Sequence, residues 1–407
     1  LVSQQVHARS DDSDSPFSLE AEVVPLIDDI ETAARAFDQM LGKLATPLLR
    51  IADGLRNKLD KQSEDLDSAT RTRMDAAARG LERRAKLLIP SWRAMLNAIG
   101  RPTPEIFVDW FAIERIAGRD IDVGMHRHWR DPREPFAQSV LEPAHGVVIT
   151  SATLRDRLPD DETDDESWQS AEIRTGVSHL ATPARRAFML SPFDYAKQAR
   201  IFVVRDVKAG DVQQIASATR ELFLAAGGGA LGLFTAIHRL RAVHERIIGP
   251  LEQAGLSLYA QHVDALDTST LVDIFRAEQN ACLLGTDAVR DGVDVPGASL
   301  RMIVFDRTPW PRPDILHKAR RAQFGGARYD DMLTRLRLKQ AFGRLIRSQT
   351  DKGVFVMLDA RLPTRLTSAF PAGVVVERVG LADAIAGARE FLNAPVAPAL
   401  AAPPRRL

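Results

Sequence analysis

The chain has 407 residues, 45% of them hydrophobic and 27% charged, which is enough apolar material for two or three packed domains and excludes a globally disordered or fibrous protein. Its 54 Lys and Arg are matched by 54 Asp and Glu, so overall charge cannot recruit a nucleic acid, and such a partner would need a local patch. The single cysteine, Cys282, excludes a disulfide framework and any metal or iron–sulfur site built from several thiolates of this chain, and it fits a reducing, cytoplasmic setting. The first twenty residues are polar and acidic and no run of 18 apolar residues occurs, so neither a signal peptide nor a membrane-spanning helix is expected. The chain opens on Leu1 rather than Met, as a piece of a longer protein would.

From about Leu19 to Ile99 the pattern is helical. Leu26, Ile30, Ala33, Phe37, Leu41 and Leu44 recur at helical spacing, and Pro47 is expected to bend or end that helix. A second stretch runs through Leu55 and Leu59, and a third carries Ala77, Leu81, Ala85 and Leu88 and stops near Pro90. This reads as a helical bundle or long hairpin. Between Glu105 and Thr153 the texture turns to short β-like runs, IFVDWFAI, IDVGMHRHW and GVVITSATL. His126 and His128 have the spacing of a metal pair, but no cysteine or carboxylate pair completes a set, so ordinary satisfied or solvated histidines are expected.

From Ile201 onward strands and helices alternate. Strands are expected at 201–204, 230–235, 257–260, 281–286, 301–306 and 353–358, with helices at about 211–226, 237–248, 269–279, 313–322 and 329–347. Apolar, β-branched strands separated by helices imply a parallel sheet covered on both faces, hence an α/β domain. Gly227 to Gly229 reads as a helix C-cap and turn. The acidic run Asp160 to Glu166 and the Ala- and Pro-rich tail after Asn393 carry no such pattern, and the tail is expected to be loose.

No Gly-Lys-Ser/Thr phosphate loop is present, because the one Gly-Lys pair, Gly42-Lys43, is followed by Leu44 inside a helical stretch. No apolar strand ends in an Asp-Glu pair that could hold magnesium. The chain alone therefore lacks the parts that hold a nucleoside triphosphate. What it has is a basic region, Arg307 to Lys352, with twelve Lys or Arg against four Asp or Glu. At its end, KQAFGRLIRS places Gln340, Arg344 and Arg347 within an arc of about 60° if the helix is continuous, opposite Leu338, Phe342, Leu345 and Ile346. Gly343 in that helix interior costs roughly 1 kcal/mol against Ala, which suggests a need for close backbone approach. Arginines so placed can reach the γ-phosphate of a nucleotide bound by another domain. The loop Thr286 to Gly297 follows a strand at its carboxyl end, where open α/β sheets bind ligands, and Asp291 and Asp294 could accept from a ribose or from an arginine of the partner helix.

Taken together, GVVITSATL, ALGLFTA, DGVDVPG, PWPRP and LKQAFGRLIRS with the following D-x-G and LDAR resemble motifs III to VI of the DinG/XPD-type superfamily 2 DNA helicases, in order, over roughly Ile106 to Arg361. The resemblance implies an α/β, RecA-like parallel-sheet second motor domain at 166–392. A helical arch-like insert at 1–100 and the end of the first motor domain at 101–165 would precede it, and a flexible tail at 393–407 would follow. In that family the first motor domain supplies the phosphate loop and the Asp-Glu box, so ATP with magnesium would be bound mainly by a missing amino-terminal motor domain. Motif VI implies Arg347 as the arginine finger, Arg344 as a second γ-phosphate contact and Gln340 as a third member, with Gly343 beside the phosphates. Motif V implies nucleotide contacts at Asp291, Gly292 and Asp294, with Asp291 standing where the family has Glu, and motif III implies a coupling role for Ser151, Ala152 and Thr153. Val289 and Arg290 replace the aromatic pair that often precedes motif V, which weakens the case for DNA contacts by that loop.

The implied partner is single-stranded DNA or a forked duplex, held through phosphates and stacking. No iron–sulfur cluster is expected within this chain. A different reading is a non-catalytic remnant or a single-strand-binding or partner module, and a third is a nucleotide-sugar enzyme on the same scaffold, which no motif supports.

Overall fold

In a computed structural model, residues 1–10, 15, 17–116, 118–156, 164–292 and 294–394 are described, and the chain divides into two units. The first unit holds Leu1–Pro132 and Arg312–Gln323, and the second holds Arg133–Pro311 and Phe324–Leu407. In chain order the elements are α1 (Val2–Arg9), β1 (Leu19–Glu22), α2 (Ile30–Lys61), α3 (Ser68–Arg83), α4 (Ile89–Ala98), β2 (Phe107–Ile116), β3 (Arg119–Trp129), α5 (Arg133–Phe136), α6 (Asp164–Thr175) and α7 (Tyr195–Gln198). They continue as β4 (Ala199–Val204), α8 (Val212–Ala226), β5 (Ala230–Leu233), α9 (Ile237–Gln253), β6 (Ser257–Ala260), α10 (Thr268–Ala277), β7 (Ala281–Gly285), α11 (Asp287–Gly292) and β8 (Met302–Phe305). The last are α12 (Ile315–Gln323), α13 (Ala327–Phe342), β9 (Gly353–Met357), β10 (Val376–Val379) and α14 (Leu381–Asn393).

In the first unit, α2 is one helix of 32 residues that passes through Pro47. The expected stop does not occur, because Pro47 and Lys43, one turn earlier, are both exposed, and water can serve the carbonyl that proline leaves unbonded. The chain also stays helical through Pro90. Residues Arg84–Leu88 form a π turn directly before α4, which widens the ladder where the proline lacks its N–H. Ion pairs between Arg56 and Glu82 (2.6 Å) and between Arg93 and Asp38 (2.7 Å) join α2 to the returning helices. β1, β2 and β3 form an antiparallel sheet whose core face, Phe111 and Ile113, packs with Val6, Ile30 and Ala34.

The second unit is built on seven parallel strands in the order β10-β4-β9-β8-β5-β7-β6. Along β4, Ile201 and Val203 enter the layer formed with α10, α11 and α13, while Phe202 and Val204 enter the opposite layer formed with α8, α9 and α14. Period-two alternation with both faces buried gives the near-continuous apolar strands seen in the sequence. α8 starts where the Asp211 carboxylate accepts from the Gln213 and Gln214 N–H groups, and it ends on Gly227 in the left-handed conformation (φ 64°). A Cβ on Gly228 would lie 2.6 Å from the Asn280 Cα, so the turn into β5 needs glycine for room as well as for φ.

The strands at 201–204, 230–235, 257–260, 281–286, 301–306 and 353–358 form where expected, within one or two residues. GVVITSATL does not form a strand. Val148 is 91% exposed, and residues 146–150 pair with no strand among the described residues, so a β-prone run lacks the hydrogen-bonding partner that would make it one. The first part of the acidic run, Asp160 to Thr163, and residues 395–407 lie outside the described residues, as does Val293.

Candidate functional site

Beyond the end of β7, the Gln261 carboxamide oxygen accepts from the Thr286 N–H (3.0 Å) and hydroxyl (2.8 Å), which fixes where the chain leaves the sheet. The expected loop begins as the short helix α11, folded back tightly enough that a Cβ on Gly285 would sit 2.5 Å from Val289. Asp291 and Gly292 end that helix, and only their backbone is described. Val295 is buried, while the Asp294 carboxylate beside it is 69% exposed and the Asp294 carbonyl accepts from Arg276 Nε (3.1 Å).

The helix expected to continue to Arg347 ends at Phe342, which corrects the single-stripe geometry. Gly343 is its C-cap, not an interior residue, and Arg344 and Leu345 continue in tighter turns onto the Ala341 and Phe342 carbonyls. Two causes combine here. Gly343 weakens the helix, and the Asp351 carboxylate captures the N–H groups of Arg347 (2.7 Å) and Ser348 (2.8 Å) that a longer helix would have kept. A Cβ on Gly343 would meet only the Lys339 and Gln340 carbonyls within 4 Å. Gln198 closes the turn from the other side, donating to the Ser348 (2.9 Å) and Asp351 (3.0 Å) carbonyls. With Leu345 and Ile346 buried, Arg347 emerges on a fixed backbone, and its Nη2 lies 2.8 Å from Asp294 Oδ1. Gln340 and Arg344 are half-buried.

The Ser151–Thr153 segment does not end a strand. The Ser151 hydroxyl lies 3.1 Å from the Thr153 hydroxyl and accepts from the Thr153 N–H, while Ala152 is exposed between them. Just beyond it stands a residue that sequence reading missed. Asp156 is 7% exposed and accepts from Arg335 (2.8 Å) and Lys339 of α13. Burial pushes its carboxyl up, but the hydrogen bond from Arg335 and the Lys339 charge outweigh that and hold it below the usual carboxylate range. Nothing local in the sequence separates Asp156 from the acidic residues that follow it.

A second buried pair lies at the carboxyl edge of the sheet. Asp306, at the end of β8, accepts from Arg239 Nε (2.7 Å) and from the Thr235 N–H (3.0 Å), while Arg239 Nη2 donates to the Ala209 carbonyl (2.9 Å). Asp359, after β9, accepts from the Thr308 N–H and hydroxyl and from Arg361. The loops after β4, β5, β8 and β9 are thus tied to one another by buried carboxylates. His126 and His128 of the first unit both lie against Trp110, at 5.1 and 5.0 Å between ring centroids. Among the described residues no group of three or more His, Cys, Asp or Glu converges as a metal site would require, and no helix is long and apolar enough to cross a membrane.

Residues 219–374, which hold strands β5 to β9 of the parallel sheet, match the family described as the helicase C-terminal domain. The same region is similar in sequence to DinG- and YoaA-type helicases. It is 35% identical over 231 residues to the ATP-dependent helicase DinG of Mycobacterium tuberculosis strain H37Rv, covering 54% of this chain and 32% of that protein. It is 32% identical over 243 residues to the ATP-dependent DNA helicase YoaA of Escherichia coli K12, covering 57% and 36%. A third relative, the 3'-5' exonuclease DinG of Bacillus subtilis 168, is 27% identical over 269 residues, covering 63% and 28%. The matched region spans about a third of the length of these relatives.

Proposed function

We propose that this chain is the carboxyl-terminal half of an ATP-dependent DNA helicase, in which a preceding motor domain binds ATP with magnesium and this half supplies Arg347 to the γ-phosphate. The observation that carries the reading is the setting of Arg347. Its backbone is locked by Asp351, and its side chain, 35% exposed, is held on the exposed carboxylate of Asp294, beside the amino ends of β4 and β9 where Gln198 closes the turn. A triphosphate oxygen can replace that carboxylate with the same bidentate-capable geometry, so the guanidinium arrives oriented and loses little freedom on engaging charge.

In this reading Arg344 makes the second γ-phosphate contact, Gln340 stands one turn earlier, and Asp291, Gly292 and Asp294 line the nucleotide side of the cleft. Gly343 lies beside the phosphates. Ser151, Ala152 and Thr153 couple phosphate state to movement of the two motor domains, with 1–100 as an arch-like insert. Closure on ATP and opening after hydrolysis step the protein along single-stranded DNA and part a forked duplex, with the strand held through its phosphates and by stacking. The setting is the cytoplasm.

The test is Arg347→Ala in the full-length parent. Loss of an arginine finger is worth 10³ to 10⁵ in turnover where it has been measured, so ATP hydrolysis and unwinding are expected to fall by about three orders of magnitude or more while nucleotide binding persists. Turnover near that of the unaltered enzyme rejects the assignment.

A further inference from the structure

We propose that Asp156 is a positioning residue that fastens the Ser151–Thr153 segment to α13, so that movement of either is transmitted to the other. The inference rests on the motor reading above, in which the first of these segments senses phosphate and the second leads into the finger.

The attachment is ionic and two-sided. On the α13 side, Asp156 Oδ2 accepts from Arg335 Nη2 (2.8 Å) and Nε (3.2 Å), and Oδ1 faces the Lys339 ammonium. Arg335 and Lys339 stand at i and i+4, so they project from one face of the helix. The participants are secluded, with side chains 7% exposed at Asp156, 7% at Arg335 and 18% at Lys339. Lys339 directly precedes Gln340, and α13 then runs to the turn that fixes Arg347.

On the other side, α6 grips the chain leaving motif III. Arg174 donates to the Thr153 carbonyl (3.0 Å) and to that of Leu154, Arg155 Nε donates to the Ser167 hydroxyl (2.7 Å), and the Asp156 N–H donates to the Ser167 carbonyl (3.1 Å). Asp156 lies three residues from Thr153, a span of at most about 11 Å even when extended. Little slack remains between the hydroxyl pair and the carboxylate, so a pull on one is felt at the other.

Physical economy argues against a purely stabilising role. A buried carboxylate facing two cations pays desolvation on all three groups, and apolar side chains of similar volume usually hold helices together as well or better. What an ion triad adds is direction: it fixes one register of the segment along α13, which apolar packing allows to slide. The carboxyl is held below the usual carboxylate range and stays ionised at neutral pH, so the tie is not a pH switch.

The experiment uses the full-length parent and compares Asp156→Asn, Arg335→Gln, Lys339→Gln and the double variant Asp156→Asn/Arg335→Gln. Strand-stimulated ATP turnover, KM for ATP, and base pairs unwound per ATP hydrolysed are measured, with thermal melting as the control for folding. Asp156→Asn is expected to lower kcat about tenfold with KM changed less than twofold, and to lower the base pairs unwound per ATP. The double variant should be no worse than the more impaired single, because both remove the same tie.

Unchanged kcat and unwinding yield in Asp156→Asn, with only a lower melting temperature, would make the triad structural and overturn the inference. Should Asp156→Asn not fold, Lys339→Gln, which keeps the Arg335 pair, decides: a reduced unwinding yield per ATP supports the inference and an unaltered yield refutes it. Arg347→Ala run in parallel separates the two levels. If it is inactive while Asp156→Asn behaves as the unaltered enzyme, only this inference falls, and if it keeps full turnover the motor reading fails and takes this inference with it.

Discussion

Replacing Asp306 by Ala removes the acceptor at the centre of the sheet's carboxyl edge. The side chains of Asp306 and Arg239 are 0% and 5% exposed, so the guanidinium left behind cannot recover its lost partner from water. Burial outweighs the lowering by Arg239 and the Thr235 N–H and leaves the Asp306 carboxyl above its ordinary range, so the ionised pair is only partly compensated, and removing one partner is costly. Breaking a buried pair by deleting one partner costs about 3 to 5 kcal/mol, and the Thr235 N–H loses its acceptor as well. At ~2 to 4 °C per kcal/mol for a domain of this size, the melting temperature of the second unit should fall by roughly 10 °C. Urea titration followed by tryptophan fluorescence and by far-ultraviolet circular dichroism gives the free energy directly. Asp306→Leu combined with Arg239→Met should recover most of the loss, because the apolar pair leaves no buried charge. A cost below about 1 kcal/mol for Asp306→Ala would show that water reaches Arg239, and the account of a tied rim would be wrong.

Two further outcomes follow from the same geometry. Asp351→Ala frees the N–H groups of Arg347 and Ser348 and the Ser348 hydroxyl, and in the full-length parent it should lower ATP turnover by about tenfold with nucleotide affinity nearly kept; an unchanged kcat would mean that the turn does not aim Arg347. Acidification should destabilise the fold below pH ~6.5, since burial together with His126 and Arg320 lowers the His128 pKa, and burial together with Arg241 lowers that of His262. Between those lowered values and 6.5 the unfolded chain binds more protons than the folded one, so stability rises with pH through that window and is fully present above it. His128→Gln with His262→Asn, the latter chosen because His262 has φ 66°, should flatten the difference in melting temperature between pH 7.5 and 5.5; a double variant with the full pH dependence would assign the effect elsewhere.

Local patterning in the chain already determined the second unit. Five of the six strands were legible because they are buried on both faces and read as apolar runs, the edge strand β6 showed alternation instead, and the helices between them carry their own caps, as Asp211 and Gly227 do for α8. β10 and α14 went unread, since β10 is only partly buried and its alternation is weak. The candidate site was legible as residue types but not as geometry. Spacing alone put Gln340, Arg344 and Arg347 on one helix, and only the folded chain supplied the Asp351 carboxylate that stops the ladder and turns Arg347 toward Asp294. Asp156 is the extreme case, because its partners lie 179 and 183 residues away and no spacing rule connects them. Periodicity and capping are properties of neighbours along the chain, so the sequence determines them by itself. Where a helix ends against a distant carboxylate, whether Pro47 stops a helix, and whether GVVITSATL becomes a strand depend on which groups arrive from elsewhere to satisfy the backbone, and only the tertiary structure decides that.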